Sequence, residues 1–329
     1  MARGDLYGDR DLAAGLRDLL RKGHPAAAVG VVTPAGTRLA SYTAPLEAEV
    51  EIGSLSKCLT GLLYADAVER GAVAPATRLR ELLPLEGCPA GDVELAALAT
   101  HRSGLPRLPK LGSDGFVRTW HLWVDGENPY GDTLDQLLEQ ARATPVGKPR
   151  HSYSNLGYEL LGHALAAASS TTYAELLRSR LSEPLGLAST YVAASPSDLR
   201  ADAVEGTSRS GRRRQPWTGE GLGPAGGIRS TIGDMTSLMQ ALLDGSCPGA
   251  AALEPVERFS GPAVRIGAAW LVLSRKGRDI TWHNGQTGGF ASWWGLDRTA
   301  GTGVVMLSLT SSSIDRHGFE LLDAVTASG

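Results

Sequence analysis

The stretch Glu51-Ile52-Gly53-Ser54-Leu55-Ser56-Lys57 decides how this chain is read. It opens an apolar run, Leu59, Leu62, Leu63, Ala67 and Val68, whose spacing predicts a helix ending before Gly71. Residues three apart share a helix face, so the Ser54 hydroxyl falls beside the Lys57 amine. A serine hydroxyl is a poor nucleophile until a base takes its proton. A lysine in a poorly solvated cleft can supply that base, because desolvation disfavours its charged form. Ser54 also falls at a helix N-terminus, where the macrodipole and free backbone amides favour developing negative charge. Ser-x-x-Lys is short, and alone it also fits a helix-start serine followed by a surface lysine. Cys58, next to Lys57, is turned away from Ser54 by its helical position and reads as core packing.

Outward from this stretch, 329 residues at 42% hydrophobic and 20% charged give room for one large domain or two interlocked subdomains. The net charge of −3 favours neither nucleic acid nor an anionic membrane as partner. The basic run Arg212-Arg213-Arg214 sits in a Gly/Ser-rich stretch and reads as a solvated loop. The N-terminus MARGDLYGDRDL lacks an apolar core, and no span of about 18 apolar residues occurs, so the expected location is cytoplasmic. Cys58, Cys88 and Cys247 have no metal-type spacing and fit reduced thiols.

Near the N-terminus, residues 26–32 and 37–42 flank Pro34-Ala35-Gly36 and read as a hairpin. The middle is mainly helical. Leu156, Leu160, Leu161, Ala164, Leu165 and Ala168 form one stripe, and Thr172-Tyr173-Ala174-Glu175 looks like a capping box opening a helix that ends before Pro184. From about residue 263 strand patterns return as AVRIGAAWLVLS, RDITW, FASWWGL and GVVMLSL, followed by a helix over about 313–326. Strands at both chain ends bracketing helices predict an α+β fold: an antiparallel sheet built from both termini, flanked by helices, with an inserted mainly helical subdomain. The expected division is a single catalytic domain, with an α/β part over about 1–65 and 228–329 and a helical part over about 66–227.

Acyl transfer by serine needs a proton relay, an oxyanion hole and groups that hold the substrate. Two segments offer them. Tyr153-Ser154-Asn155 precedes the Leu156 helix; a tyrosine near a lysine can relay protons, although the same triplet could be a turn in which Asn155 caps the helix. His283-Asn284-Gly285-Gln286-Thr287-Gly288-Gly289-Phe290 lies at a strand edge, where its glycines would let backbone approach a ligand. Its plainer reading is a Gly-rich hairpin turn.

Together these segments resemble the serine β-lactamase and penicillin-binding-protein superfamily, whose signature is Ser-x-x-Lys, then a Tyr/Ser-x-Asn element, then a Lys-Thr-Gly-like strand. The tyrosine in the second motif is similar to the class C branch, which includes esterases, D-amino-acid peptidases and acyltransferases. EIGSLSK, LAALATHRSGLPRLP, YSNLGYELLG, GGIRST and HNGQTGGF extend the resemblance over most of the chain. It implies that Ser54 attacks the acyl carbonyl, that Lys57 and Tyr153 share the proton work, and that the N–H groups of Ser54 and Gln286 form the oxyanion hole. Asn155 would touch both the substrate carbonyl and Lys57, and His283 and Gly285 would border the substrate.

One departure bears on function. His283 stands where penicillin-recognising members carry a lysine, and a histidine of ordinary pKa, about 6.5, is mostly neutral at pH 7. Carboxylate capture there is weakened. Trp120, His121 and Trp123, and Phe290, Trp293 and Trp294, are candidate walls of a bulky apolar acyl pocket, or else ordinary packing. His101, in HRSGLP, reads as a structural turn residue. No metal or nucleotide motif occurs, so no cofactor is expected. The leading function is hydrolysis of a small-molecule ester or amide through acyl-Ser54. Transfer of the acyl group to an amine or alcohol follows closely, with β-lactamase or D-amino-acid peptidase activity and a non-catalytic binding module behind.

Overall fold

A computed structural model describes residues 5–20, 22–109, 128, 131–201 and 203–328. In chain order, β1 (Leu6–Gly8), α1 (Arg10–Leu19), β2 (Ala27–Thr33), β3 (Gly36–Tyr42) and β4 (Val50–Glu51) lead into α2 (Leu55–Glu69). The helices α3 (Leu95–Ala99), α4 (Leu134–Ala143), α5 (Asn155–Ala168) and α6 (Tyr173–Leu177) follow, and α6 runs into a π-helical turn over Arg178–Ser182. Next come β5 (Tyr191–Val192), α7 (Gly223–Gly226), β6 (Ile228–Ser230) and α8 (Ile232–Asp244). The chain closes with β7 (Glu257–Ser260), β8 (Val264–Ile266), β9 (Leu271–Arg275), β10 (Arg278–Gln286), β11 (Ala291–Asp297), β12 (Thr302–Ser308) and α9 (Asp315–Ser328).

The main sheet runs β1-β3-β2-β12-β11-β10-β9-β8-β7, and its pairings are antiparallel. β2 lies beside β12, from Ala27 opposite Ser308 to Val32 opposite Gly303, so both chain ends do build one sheet. The expected α+β architecture is the observed one, and the hairpin around Pro34-Ala35-Gly36 closes as read, with Thr33 opposite Gly36. AVRIGAAWLVLS is two strands, not one. The Gly267 N–H donates to the Trp270 carbonyl, which closes a turn between β8 and β9, and Ala269 takes a positive φ there. β7, a short half-exposed edge strand, was not legible in the sequence.

β11 is buried along its whole length, because helices cover both sheet faces. On one side Ala291 and Trp293 pack with Ala13 and Leu16 of α1 and Leu322 of α9. On the other, Trp294 and Leu296 join the larger core around α2, α5 and α8. α2 is buried on nearly every side, which fits its many apolar positions: Leu55, Leu59 and Leu62 are fully covered, each worth about 1.5–3 kcal/mol of burial. This central helix fixes Ser54 at the seam between sheet and helical layer. A small second sheet, β4-β6-β5, lies just ahead of it; there the buried Arg229 bridges Glu49 and Glu51. Among the described residues no helix is long and apolar enough to cross a membrane.

Candidate active site

Ser54 occupies the N-cap position of α2, where serine normally accepts a hydrogen bond from an amide of the first turn. Its hydroxyl makes no such bond. The first-turn amides are met by backbone instead: Leu55 N–H donates to Ile52 O, Ser56 N–H to Gly53 O, and Lys57 N–H to Ser54 O. The Ser54 hydroxyl accepts from the Tyr153 hydroxyl at 2.7 Å and from Lys57 Nζ at 3.4 Å. The helix-cap reading of Ser54 therefore fails on geometry, and the i,i+3 juxtaposition with Lys57 holds.

Lys57 is fully buried. Its Nζ also donates a short hydrogen bond to the Ala225 carbonyl of α7 and lies 5.0 Å from the centre of the Tyr153 ring. Tyr153 sits just before α5. Ser154 caps that helix, its Oγ accepting from Gly157 N–H at 2.9 Å. Asn155, the alternative cap in the sequence, is the first helical residue, and its own N–H donates to the Arg107 carbonyl at 2.9 Å. Among the described residues no hydrogen bond joins Asn155 to Lys57. Asn155 Oδ1 is buried without a partner among the described residues.

The third segment arrives as the end of β10. Thr287 N–H donates to Phe290 O across the hairpin, and the register sets Gln286 opposite Ala291. Antiparallel pairs alternate between bonded and unbonded, so the Gln286 N–H turns away from β11. β9 pairs with β10 only as far as Trp282, which leaves that edge open. It faces Gly53 and Ser54. A Cβ on Gly53 would stand 2.7 Å from Gln286 N, and one on Gly285 would stand 3.0 Å from Ser54 N and 2.2 Å from Ile52 O. Glycine at both positions is what allows this approach; Gly53 also has φ +53°, in the left-handed region. The Ser54 N–H donates to no described group. Two backbone donors therefore share the crevice beside the Ser54 hydroxyl.

His283 is buried, and its Nδ1 donates to the Asn284 carbonyl at 2.6 Å. Burial drives its pKa down to about 4, with a smaller push from Lys57, so the ring is neutral at pH 7. Its ring centre is 6.4 Å from that of Tyr153. Glu159, one turn past Asn155 on α5, is buried too; burial raises its carboxyl to about 8, and Lys57 opposes that rise.

Trp293 does not line this cleft. Strand alternation turns it to the opposite sheet face, where it packs edge-on against Phe319 at 5.0 Å. Its neighbour Trp294 faces the side of α2 but is fully buried against Trp270. Trp120, His121 and Trp123 lie outside the described residues. Sequence reasoning missed the Ala225 carbonyl, Glu159 and the reach of His101, whose ring packs 4.6 Å from Tyr153. No local pattern signals the first two; a histidine before Ser-Gly-Leu-Pro was the one visible hint of the third. Among the described residues no cluster of three or more His, Cys, Asp or Glu could hold a metal ion.

Residues 10–324 match the family model described as Beta-lactamase, and the chain belongs to that family. It is 30% identical over 60% of its length to the D-alanyl-D-alanine-carboxypeptidase/endopeptidase AmpH of Escherichia coli, covering 50% of that protein. It is 29% identical over 78% of its length to the human putative beta-lactamase-like 1, covering 53%. The chain thus spans about half the length of these curated relatives. Among solved structures it is similar to a beta-lactamase/D-alanine carboxypeptidase from Yersinia pestis complexed with citrate. There the TM-score is 0.77 at 22% identity, over 96% of this chain and 98% of that one. A class C beta-lactamase from Rhodobacter sphaeroides gives 0.74 at 22%, over 91% and 93%. At these identities the structures speak for the fold.

Proposed function

We propose that this protein is a serine hydrolase that cleaves small esters, or activated amides, through an acyl-Ser54 intermediate. The carrying observation is the Ser54 hydroxyl, which sits at a helix N-terminus yet caps nothing and is held by Tyr153 and Lys57. Ser54 Oγ adds to the acyl carbon as its proton passes along the 2.7 Å contact to the Tyr153–Lys57 pair. Both side chains reach the Ser54 hydroxyl, so the proton work is assigned to the pair and not to one member. The carbonyl oxygen becomes an oxyanion facing the Ser54 and Gln286 N–H groups. Collapse expels the alcohol or amine, which takes the proton back from Tyr153. Water then repeats the cycle on acyl-Ser54 and releases the acid.

The neutral His283 favours esters over substrates gripped by a carboxylate at this motif, since it offers no cation. The E. coli relative is named for a D-alanyl-D-alanine peptidase, and that activity is the natural comparison. The test pairs p-nitrophenyl butyrate turnover with mass spectrometry of the trapped protein. A butyryl adduct on Ser54, absent in Ser54→Ala together with turnover, is expected. Turnover that survives Ser54→Ala would refute the reading.

A further inference from the structure

His101 lies outside the three motifs, yet it grips the residue at the centre of the second one. Its carbonyl accepts the Ser152 N–H at 2.9 Å and its Nδ1 accepts the Ser154 N–H at 3.2 Å, so Tyr153 is bracketed on both sides by one residue. Its ring also packs on the Tyr153 ring, 4.6 Å between centres at 36°. The imidazole also packs against Tyr158, 4.8 Å away, whose hydroxyl donates to Ala99 O at 2.6 Å. A continuous line of contacts therefore runs from the end of α3 through Tyr158, His101 and Tyr153 to Ser54.

Two local penalties accompany this arrangement. His101 has φ +55°, which a side chain with a Cβ rarely adopts. Its Nε2 is buried with no partner among the described residues. Because Nδ1 accepts, the proton resides on Nε2, so the orphan is an N–H donor. Strain and an unmet donor at one residue call for a reason beyond turn formation, and such outliers cluster at functional sites. A turn alone would be served by glycine or asparagine.

We infer that His101 is a positioning residue, which as the neutral Nε2–H tautomer fixes the Tyr153 phenol against the Ser54 hydroxyl. This rests on the acyl-enzyme reading above. Burial, helped by the nearby Lys57, His283 and His151, holds its pKa well below the ordinary value and so keeps Nδ1 an acceptor. Protonation would set two donors, Nδ1–H and Ser154 N–H, against each other. Phenylalanine would keep the ring and lose the acceptor; asparagine would keep an acceptor, tolerate the backbone and lose the ring.

The test is a double-mutant cycle read by the rate of fluorophosphonate labelling of Ser54, with His101→Phe and His101→Asn each made in wild-type and Tyr153→Phe backgrounds. A residue acting through Tyr153 loses its effect when the phenol is gone. We expect His101→Phe to slow labelling at least tenfold in the wild type and less than twofold in Tyr153→Phe. His101→Asn reads the same cycle if the phenylalanine variant does not fold. Equal fold-losses in both backgrounds, as general destabilisation would give, overturn the inference, as does a loss under twofold in the wild type. A wild-type protein that takes no label at Ser54 sinks the acyl-enzyme reading and this one together; a labelled wild type with additive variants sinks this one alone.

Discussion

Gly53→Ala tests the joint between the nucleophile and the strand that completes its crevice. Two effects are separable in the structure. Gly53 has φ +53°, and forcing an alanine into the left-handed region costs about 1–2 kcal/mol. The new Cβ would also stand 2.7 Å from Gln286 N and 3.0 Å from Gln286 C and O. These are backbone atoms inside a paired strand, so β10 must retreat by several tenths of an ångström to restore ordinary contact. In the proposed mechanism, that retreat moves the Gln286 N–H away from the oxyanion. Loss of one such donor lowers kcat about 10²–10³-fold, and a displaced donor should lose at least about tenfold.

The control is Gly277→Ala. Gly277 has φ +76° and open space where its Cβ would go, so it carries the backbone strain without the collision. Thermal melts and p-nitrophenyl butyrate kinetics on both variants separate the two. Gly277→Ala should lose about 1–2 kcal/mol of stability, Gly53→Ala should lose that plus the cost of the collision, and only Gly53→Ala should lose kcat. A Gly53→Ala protein with wild-type kcat would show that Gln286 takes no part in catalysis. An equal loss of kcat in Gly277→Ala would show that strain, not geometry at Ser54, is being measured.

Lys57→Ala and Tyr153→Phe should each lower kcat by at least about 10²-fold in the same ester assay, since each removes one half of the proposed proton relay; a near-normal Tyr153→Phe would reduce the second motif to a helix start. Glu159→Gln should change how stability depends on pH. The Glu159 carboxyl is raised from 4.5 to about 8 in the folded protein, so the stability it contributes is complete below pH 4.5 and is lost as pH rises toward 8. The glutamine variant lacks that loss, and urea melts should show it gaining on the wild type between pH 5 and pH 8; parallel curves would be the contrary result. Trp293→Ala should cost about 3–5 kcal/mol of stability while leaving the KM of the folded fraction unchanged, because this side chain packs on the face away from Ser54. A rise in KM measured below the melting range would return Trp293 to the substrate pocket.

What could be read from the sequence, and what could not, follows from the range of each signal. α2, α5 and the β2–β3 hairpin are written in nearest-neighbour spacing, and the structure has them where the spacing put them. The face to which Trp293 points is not so written. β11 is buried on both sides, so its sequence has no polar alternation to orient it, and both tryptophans looked equally available to the cleft. The cap of α5 was misplaced for another reason: Asn155 was read as the cap, whereas Ser154 fills that position, and the Asn155 N–H is taken by the Arg107 carbonyl, 48 residues before it. His101 reaches Tyr153 across 52 positions, a distance over which local patterns carry no information.

The crevice beside Ser54 shows the same division within a single strand. That glycine is needed at Gly53 and Gly285 could be suspected from the motif, but whether the Gln286 N–H is free depends on parity. Thr287 bonds to Phe290 across the turn, so the bonded pairs are the odd-numbered residues of β10 and the unbonded ones are even. One residue inserted between Gln286 and Thr287 would invert that order. The N–H now aimed at the Ser54 crevice would then be tied into the ladder with β11, with every motif residue still present. The motif marks the strand as one that can serve the site; the register, set by the hairpin turn and by the packing of β11 between two layers, determines which of its amides is free to do so.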